Sequence, residues 1–262
     1  PFLELKEQLT HGNKETYIFE LEDLSKITAV AENKDDKVIL HIASQTSTPK
    51  ACSLLEVSNE SYRNLDVSEI LNQVYTLHRR LKNRNLEINN VNFSTEGEPL
   101  FNFDNLLNAV EILTNENLFG LSKRKITVTT CGVIEPIDKL MQMKLPLELH
   151  IKLHAITEDK RSTLLSINKS YALEDLHTTL SAYQKSNKRR ITFEYVLIKD
   201  YNCTQEDLEI LGNFVHDFDH NLVLKPFKSI EGFEYEAPHV KKIERIFNYF
   251  KNERNVNVFL EN

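Results

Sequence analysis

The stretch KITVTTCGVIEPIDKLMQMKLPLELHIKL, residues 125–153, decides the fold. Lys125 to Thr130 is short and β-branched along almost its whole length, which suits a strand. Glu135 to Met143 changes to helical spacing, and Leu147 to Leu153 returns to a short apolar run. A strand, a helix and a second strand within about thirty residues make a β-α-β unit, and parallel neighbours need such a crossover.

The same alternation extends in both directions. Upstream, Leu86 to Phe93 precedes a helical run from Phe103 to Leu113. Downstream, Leu173 to Gln184 is followed by Ile191 to Leu197, Gln205 to Phe218, Leu222 to Leu224, His239 to Lys251 and a last strand from Val256 to Leu260. A helix opens at Asp66, where Val67, Ile70, Leu71, Val74, Leu77 and Leu81 share a face and Asp66 with Glu69 forms a capping pair. The runs Thr16 to Leu21, Ile27 to Ala31 and Val38 to Ala43 read as a short antiparallel meander. The expected architecture is α/β: a partial (β/α)6 barrel over residues 46–262 with an amino-terminal meander over residues 1–45, forming one domain.

Composition removes several function classes. Six glycines occur in 262 residues, none closer together than Gly120 and Gly132, so neither a dinucleotide-binding nor a P-loop glycine motif exists. Cys52, Cys131 and Cys203 lie too far apart for a zinc ribbon or a disulfide framework, and isolated thiols suit a reducing cytosol. A net charge of -7 argues against a broadly basic nucleic-acid surface. No apolar run reaches the length of a membrane span and no charged segment precedes a hydrophobic one, so a cytoplasmic protein is expected. His216 and His220 are four apart, but Asp217 to Asp219 reads as the end of their helix, which speaks against a metal there. The stripe Val240, Ile243, Ile246, Phe247 and Phe250 reads as a core-facing helix face.

In parallel sheets chemistry sits at the carboxyl ends of strands. Those ends deliver Ser94-Thr95-Glu96-Gly97-Glu98-Pro99, Cys131-Gly132, His154-Ala155 and Lys225-Pro226-Phe227-Lys228. Gly97 through Asn102 resembles the GEPLxN motif of the radical-SAM enzymes that methylate an adenine of large-subunit ribosomal RNA, the RlmN/Cfr family. Gly120 through Thr127 with Thr129 through Val133 resembles its GLSKRxxT-x-STSGV. Leu153-His154-Ala155 is similar to the end of SLHA, Ile167-Asn168-Lys169 to PINK and Glu194-Tyr195-Val196 to EYV. The resemblance runs in order along nearly the whole chain.

What the resemblance implies about chemistry is mixed. The family holds a four-iron four-sulfur cluster through three cysteines, and register places Thr48, Cys52 and Leu55 at those positions. Cys52 alone keeps a thiolate donor, and threonine and leucine are not ligands for such a cluster. A proposed proton-accepting glutamate of the family aligns with Thr28, and the chain stops at Asn262 before the methyl-carrying cysteine. Of the positions matching the S-adenosylmethionine pocket, Gly97, Glu98 and His154 keep the family residue, whereas Thr129, Lys152 and Lys228 replace it. No catalytic residue, metal or cofactor is therefore expected, and the chain resembles a pseudoenzyme that works by binding. The alternative is an active methyltransferase with S-adenosylmethionine and an atypical 4Fe-4S site. The basic turn Lys123, Arg124 and Lys125 suits RNA or ribosome contact, and a protein partner is the other reading. Lys152, on an otherwise apolar strand, is expected to pair with Glu98 and plug the pocket, while Lys228 is expected to reach solvent.

Overall fold

The computed structural model describes residues 3–34, 37–58 and 61–261. The chain divides into two compact units: Pro1–Lys50 with Val57–Thr130 and Leu145–Glu148, and Ala51–Glu56 with Cys131–Lys144 and Leu149–Asn262.

In the first unit, β1 (Leu3–His11), β2 (Lys14–Leu21), β3 (Lys26–Lys34) and β4 (Lys37–Ile42) form an antiparallel ribbon in chain order. The parallel part begins at β4, which pairs with β5 (Glu87–Phe93), and β5 pairs in turn with β6 (Ile126–Thr130). β4 therefore closes the meander and opens the parallel run, so the expected boundary at residue 45 falls after a strand that serves both. β1 had no clear sequence signal because most of it is exposed and polar.

Two helices cover this sheet. α1 (Val67–Lys82) starts at a full capping box: Asp66 accepts from the Glu69 amide, and Glu69 accepts from the Asp66 amide. The Arg63 guanidinium holds both Glu69 oxygens at 2.8 Å and the Asp23 carboxylate at 2.6 Å. Ile70, Val74, Leu77 and Leu81 are fully buried, as are Val38, Leu40 and Ile42 of β4. Gln73 spends its amide on the backbone of Ala43, accepting at 2.9 Å and donating at 3.1 Å, which locks α1 to the carboxyl end of β4. α2 (Phe103–Thr114) follows the turn after β5.

The second unit contains α3 (Ile134–Gln142), β7 (Glu148–Lys152), α4 (Glu158–Leu164), α5 (Leu173–Asn187), β8 (Ile191–Leu197), α6 (Gln205–His216), β9 (His220–Pro226), α7 (Val240–Asn248) and β10 (Val258–Leu260). β7, β8, β9 and β10 pair in parallel in that order. Every residue of β8 is buried, as expected for a strand covered on both faces. A Thr204–Asp207 capping box starts α6, and Lys160 binds Asp207 at 2.6 Å.

Two expectations need correction here. Val240 is 64% exposed, because it opens α7, so the core face of that helix is Ile243, Ile246 and Phe250. α4 lies in a polar stretch that carries no apolar stripe and was not expected at all. As expected, α6 ends at His216 and His220 already belongs to β9.

Candidate functional site

The strand-end turn of the first unit is built on Gly97. Its φ of +104° and the 2.6 Å that a Cβ would leave to Ser44 Oγ exclude other residues without movement of the backbone. The amides of Ser44 and Gln45 donate to the Glu96 carbonyl, the Gly97 amide to Thr48 Oγ1 at 3.1 Å, and the Glu98 amide to Gln45 Oε1 at 2.8 Å. Glu98 is 2% exposed and its carboxylate accepts from the Leu100 amide at 3.1 Å, capping the turn before α2. Asn102 ties the turn down by donating to the Ser44 and Leu65 carbonyls, both at 2.8 Å. Thr129, buried near the end of β6, donates to Asn92 Oδ1 at 2.9 Å.

Beside this turn lies a polar group that sequence reading did not find. Ser94 Oγ is 2.8 Å from His41 Nδ1, and His41 Nε2 is 3.4 Å from Glu32 Oε2. The His41 imidazole, with Lys34 and Lys14, holds the Glu32 carboxyl down to about 2 against the opposing effect of burial. The spacing is that of a nucleophile, a base and an orienting carboxylate. However, the Ser94 and Thr95 amides both donate to the Ile42 carbonyl, so these neighbouring donors are spent on the sheet and cannot cradle an oxyanion. The group is read as a structural polar cluster. Glu96 occupies the next position: its carboxylate accepts from the Thr28 amide at 2.9 Å, and burial pushes its carboxyl up. A carboxylate thus meets the strand position where the family resemblance expected one and the chain has Thr28.

The second unit presents different chemistry. Cys52 and Cys131 are disulfide-bonded, with Cα atoms 5.8 Å apart, which corrects the expectation of three isolated thiols. The reason is tertiary: 79 residues separate the two, and no spacing rule announces such a pair. Cys203 alone is a free, buried thiol. Leu55 is 7% exposed and packs with Ala155, Leu164, Val196, Ile198 and Phe227. It does so with a left-handed backbone, φ 57°, and Glu56 follows at φ 55°.

Arg161 is fully buried on α4. Its guanidinium donates to the carbonyls of Cys131 at 2.6 Å, Leu153 at 3.2 Å and Lys152 at 3.4 Å, and to Asn168 Oδ1 at 2.7 Å. Burial lowers its pKa to about 10. Sequence analysis missed this residue, although the motif carrying Asn168 was read, because an arginine in a polar stretch looks solvated. Asn168 passes the charge onward, donating to Glu158 Oε2 at 2.6 Å.

His154 is 3% exposed and left-handed, φ 59°. Asn202 donates to its carbonyl at 2.7 Å, and burial pushes the imidazole down to about 4, so the ring is neutral near pH 7. Its Nδ1 has no hydrogen-bond partner among the described residues. Glu194 lies 3.8 Å from His154 Nε2 and 3.3 Å from His150 Nε2, and Lys225 reaches it at 2.7 Å. Against the upward push of burial, His150 and Lys225 hold the Glu194 carboxyl well below the usual range.

The lysines at the strand ends differ in their surroundings. Lys152 is half-buried, and its carbonyl accepts from Arg161 at 3.4 Å. Lys228 is exposed, as expected, and the lysine of that strand end which meets a buried carboxylate is Lys225. Lys123 and Arg124 are exposed on a 3-10 turn capped by Ser122, directly before β6. No helix among the described residues is long and apolar enough to cross a membrane.

The structure is similar to a radical SAM methyltransferase from Sphaerobacter thermophilus, with a TM-score of 0.90 and 25% identity over 99% of this chain and 76% of that one. SuiB of Streptococcus suis bound to S-adenosylmethionine shares the fold more distantly, with a TM-score of 0.59 and 14% identity over 86% of this chain and 50% of that one. The fold is thus the α/β partial barrel of the radical-SAM methyltransferase class. Within that class, the chain is 31% identical to a probable dual-specificity RNA methyltransferase RlmN of Dictyoglomus turgidum, over 92% of this chain and 70% of that protein. It is also 31% identical to a protein of the same description from Syntrophomonas wolfei, over 95% of this chain and 72% of that protein. The chain belongs to the RlmN family of RNA methyltransferases. No family model matches it.

Proposed function

We propose that this chain is a non-catalytic member of its family that acts by binding RNA. The observation that carries the reading is Leu55. At the third cluster position of the family register stands a side chain with no donor atom, buried in an apolar cluster. The other two positions are also committed: the Thr48 hydroxyl accepts the Gly97 amide, and Cys52 is bonded to Cys131. This donor set does not fit an iron–sulfur cluster, which requires thiolate sulfurs, and no step is derived through one. At the pocket positions, Glu98 caps its own turn, Thr129 bonds Asn92, and Lys152 adds a cation where the family has a serine.

Anaerobic incubation with iron and sulfide is expected to leave the visible spectrum flat. A charge-transfer band near roughly 400 nm, with about four irons per chain, is the signature of thiolate-ligated clusters; finding it would overturn the reading.

The exposed turn at Lys123 and Arg124, with Lys125 beside it, supplies the cations for phosphate contact on a chain whose overall charge is -7. A triple Lys123→Ala, Arg124→Ala, Lys125→Ala variant is expected to weaken binding to ribosomal RNA fragments across sequences. The slope of log K against log salt should fall by about 0.7–0.9 for each phosphate that the turn no longer neutralises. An unchanged slope would leave the turn without this role.

A further inference from the structure

We propose that Cys52 and Cys131 are a reversible dithiol–disulfide pair that sets whether the segment Ala51–Glu56 is pinned or released. The proposal stands on the pairing itself and on the backbone of that segment, and it holds whether or not the chain is catalytic. Cys52 ends a single 3-10 turn, Lys50–Cys52, and a second short turn, Leu54–Glu56, follows it. Leu55 and Glu56 are both left-handed, a conformation that costs a residue with a Cβ about 1–2 kcal/mol, and neither is a glycine or asparagine. No regular helix or strand passes through the segment to compensate. What opposes the strain is the bond to Cys131 at one end and the burial of Leu55, with Leu54 beside it, at the other. Removing one of two anchors from a strained segment is how a bistable element is made.

The thiolate is both the attacking and the leaving form in disulfide exchange. The buried Arg161 guanidinium holds the Cys131 backbone by donating to its carbonyl at 2.6 Å, so the side of the pair that moves is Cys52. Both sulfurs are buried, so exchange proceeds through opening of the strained segment, which carries Cys52. The natural co-reactant is a small-molecule disulfide such as oxidised glutathione. One cysteine thiolate attacks a glutathione sulfur and expels one glutathione thiolate, giving a mixed disulfide. The second cysteine, losing its proton, displaces the other glutathione. Two protein thiols are oxidised to one disulfide, and one glutathione disulfide is reduced to two thiols. Cys203 takes no part, since it is a single buried thiol donating to the Ile198 carbonyl.

The test equilibrates the whole chain in glutathione buffers from fully reduced to fully oxidised, quenches with acid and labels free thiols with a mass-tagged maleimide. Peptide mass spectrometry then assigns each tag. The expected result is that Cys52 and Cys131 lose and regain their tags together, while Cys203 keeps its tag throughout. A Cys52→Ser or a Cys131→Ser variant should leave its remaining partner tagged in every buffer. In parallel, cleavage after Glu56 by a glutamate-specific protease should be about tenfold or more faster in the reduced form, because cleavage follows the population of the open segment. Circular dichroism establishes that the reduced chain and both variants remain folded. A pair that stays reduced in the most oxidising buffer overturns the proposal. So does a pair that resists native reduction, or a cleavage rate indifferent to redox state.

Discussion

Replacing Arg161 by alanine is expected to lower the unfolding free energy by about 3–5 kcal/mol. The side chain is fully buried and donates to three carbonyls and one side-chain amide within α4 and its surroundings. Hydrogen bonds from a charged donor contribute about 1.5–3 kcal/mol each, and an acceptor stripped of its donor loses more than it would in water. Against this stands the cost of burying the cation, several kcal/mol, visible in a pKa lowered to about 10. The hydrogen bonds win because four acceptors converge on one rigid fork. Arg161→Lys restores the charge but only a point donor, and should recover less than half the loss. With no tryptophan in the chain, urea unfolding is best followed by far-ultraviolet circular dichroism. A midpoint for Arg161→Ala within error of the parent would show that the carbonyls find other partners and that the guanidinium is dispensable.

That residue also marks the limit of what could be read from sequence. Elements with a strong sequence pattern were legible: the apolar face of α1 with its Asp66–Glu69 cap, and the fully buried β8, lie where the pattern placed them. So were Gly97 and Gly132, both with positive φ, where a Cβ would strike Ser44 or Leu176. β1 and α4 were not legible, because one is exposed on most positions and the other is held by buried polar bonds instead of an apolar stripe. Arg161 follows from the same cause, since its partners are backbone carbonyls that every residue possesses. The Cys52–Cys131 bond and the Lys225–Glu194 pair depend on side chains brought together across 79 residues and across two strands. Lys225 and Lys228 stand in one strand end, and only the direction of each side chain separates a buried ion pair from a solvated lysine.

Several residues that match the family motifs have structural roles here. Glu98 caps a turn, Asn168 relays Glu158 to Arg161, and Glu194 is neutralised by Lys225. Retention of such residues does not require retention of chemistry, because each satisfies a buried polar group whose loss would destabilise the fold. A fold can therefore match a radical SAM methyltransferase with a TM-score of 0.90 while residues of its motifs serve packing and polar satisfaction.

His154 should make stability depend on pH between its folded and unfolded pKa values. Burial lowers its pKa from 6.5 to about 4, partly offset by Glu194. Between these values the unfolded chain binds a proton that the folded chain does not. By linkage, stability then rises with pH across the window, is complete above about pH 6.5 and is lost as pH falls toward 4. At 1.36 kcal/mol per pH unit, the full contribution is about 3 kcal/mol. Glu32 and Glu15, with pKa values of about 2, act lower and lose their stabilisation only as pH drops below the ordinary carboxylate range, whereas burial raises Glu96, which takes up its proton earlier in the folded chain and opposes the trend of His154. His220 is also lowered by burial and shares the window, so the parent curve alone does not isolate one residue. His154→Asn does, because asparagine tolerates the left-handed backbone and does not titrate. Urea midpoints measured between pH 7 and pH 4.5 should fall less steeply for this variant than for the parent, by most of the 3 kcal/mol expected from linkage. Parallel curves would mean that His154 gains its proton in the folded state, paired with Glu194 at 3.8 Å, and that the buried centre at the end of β7 is an ion pair.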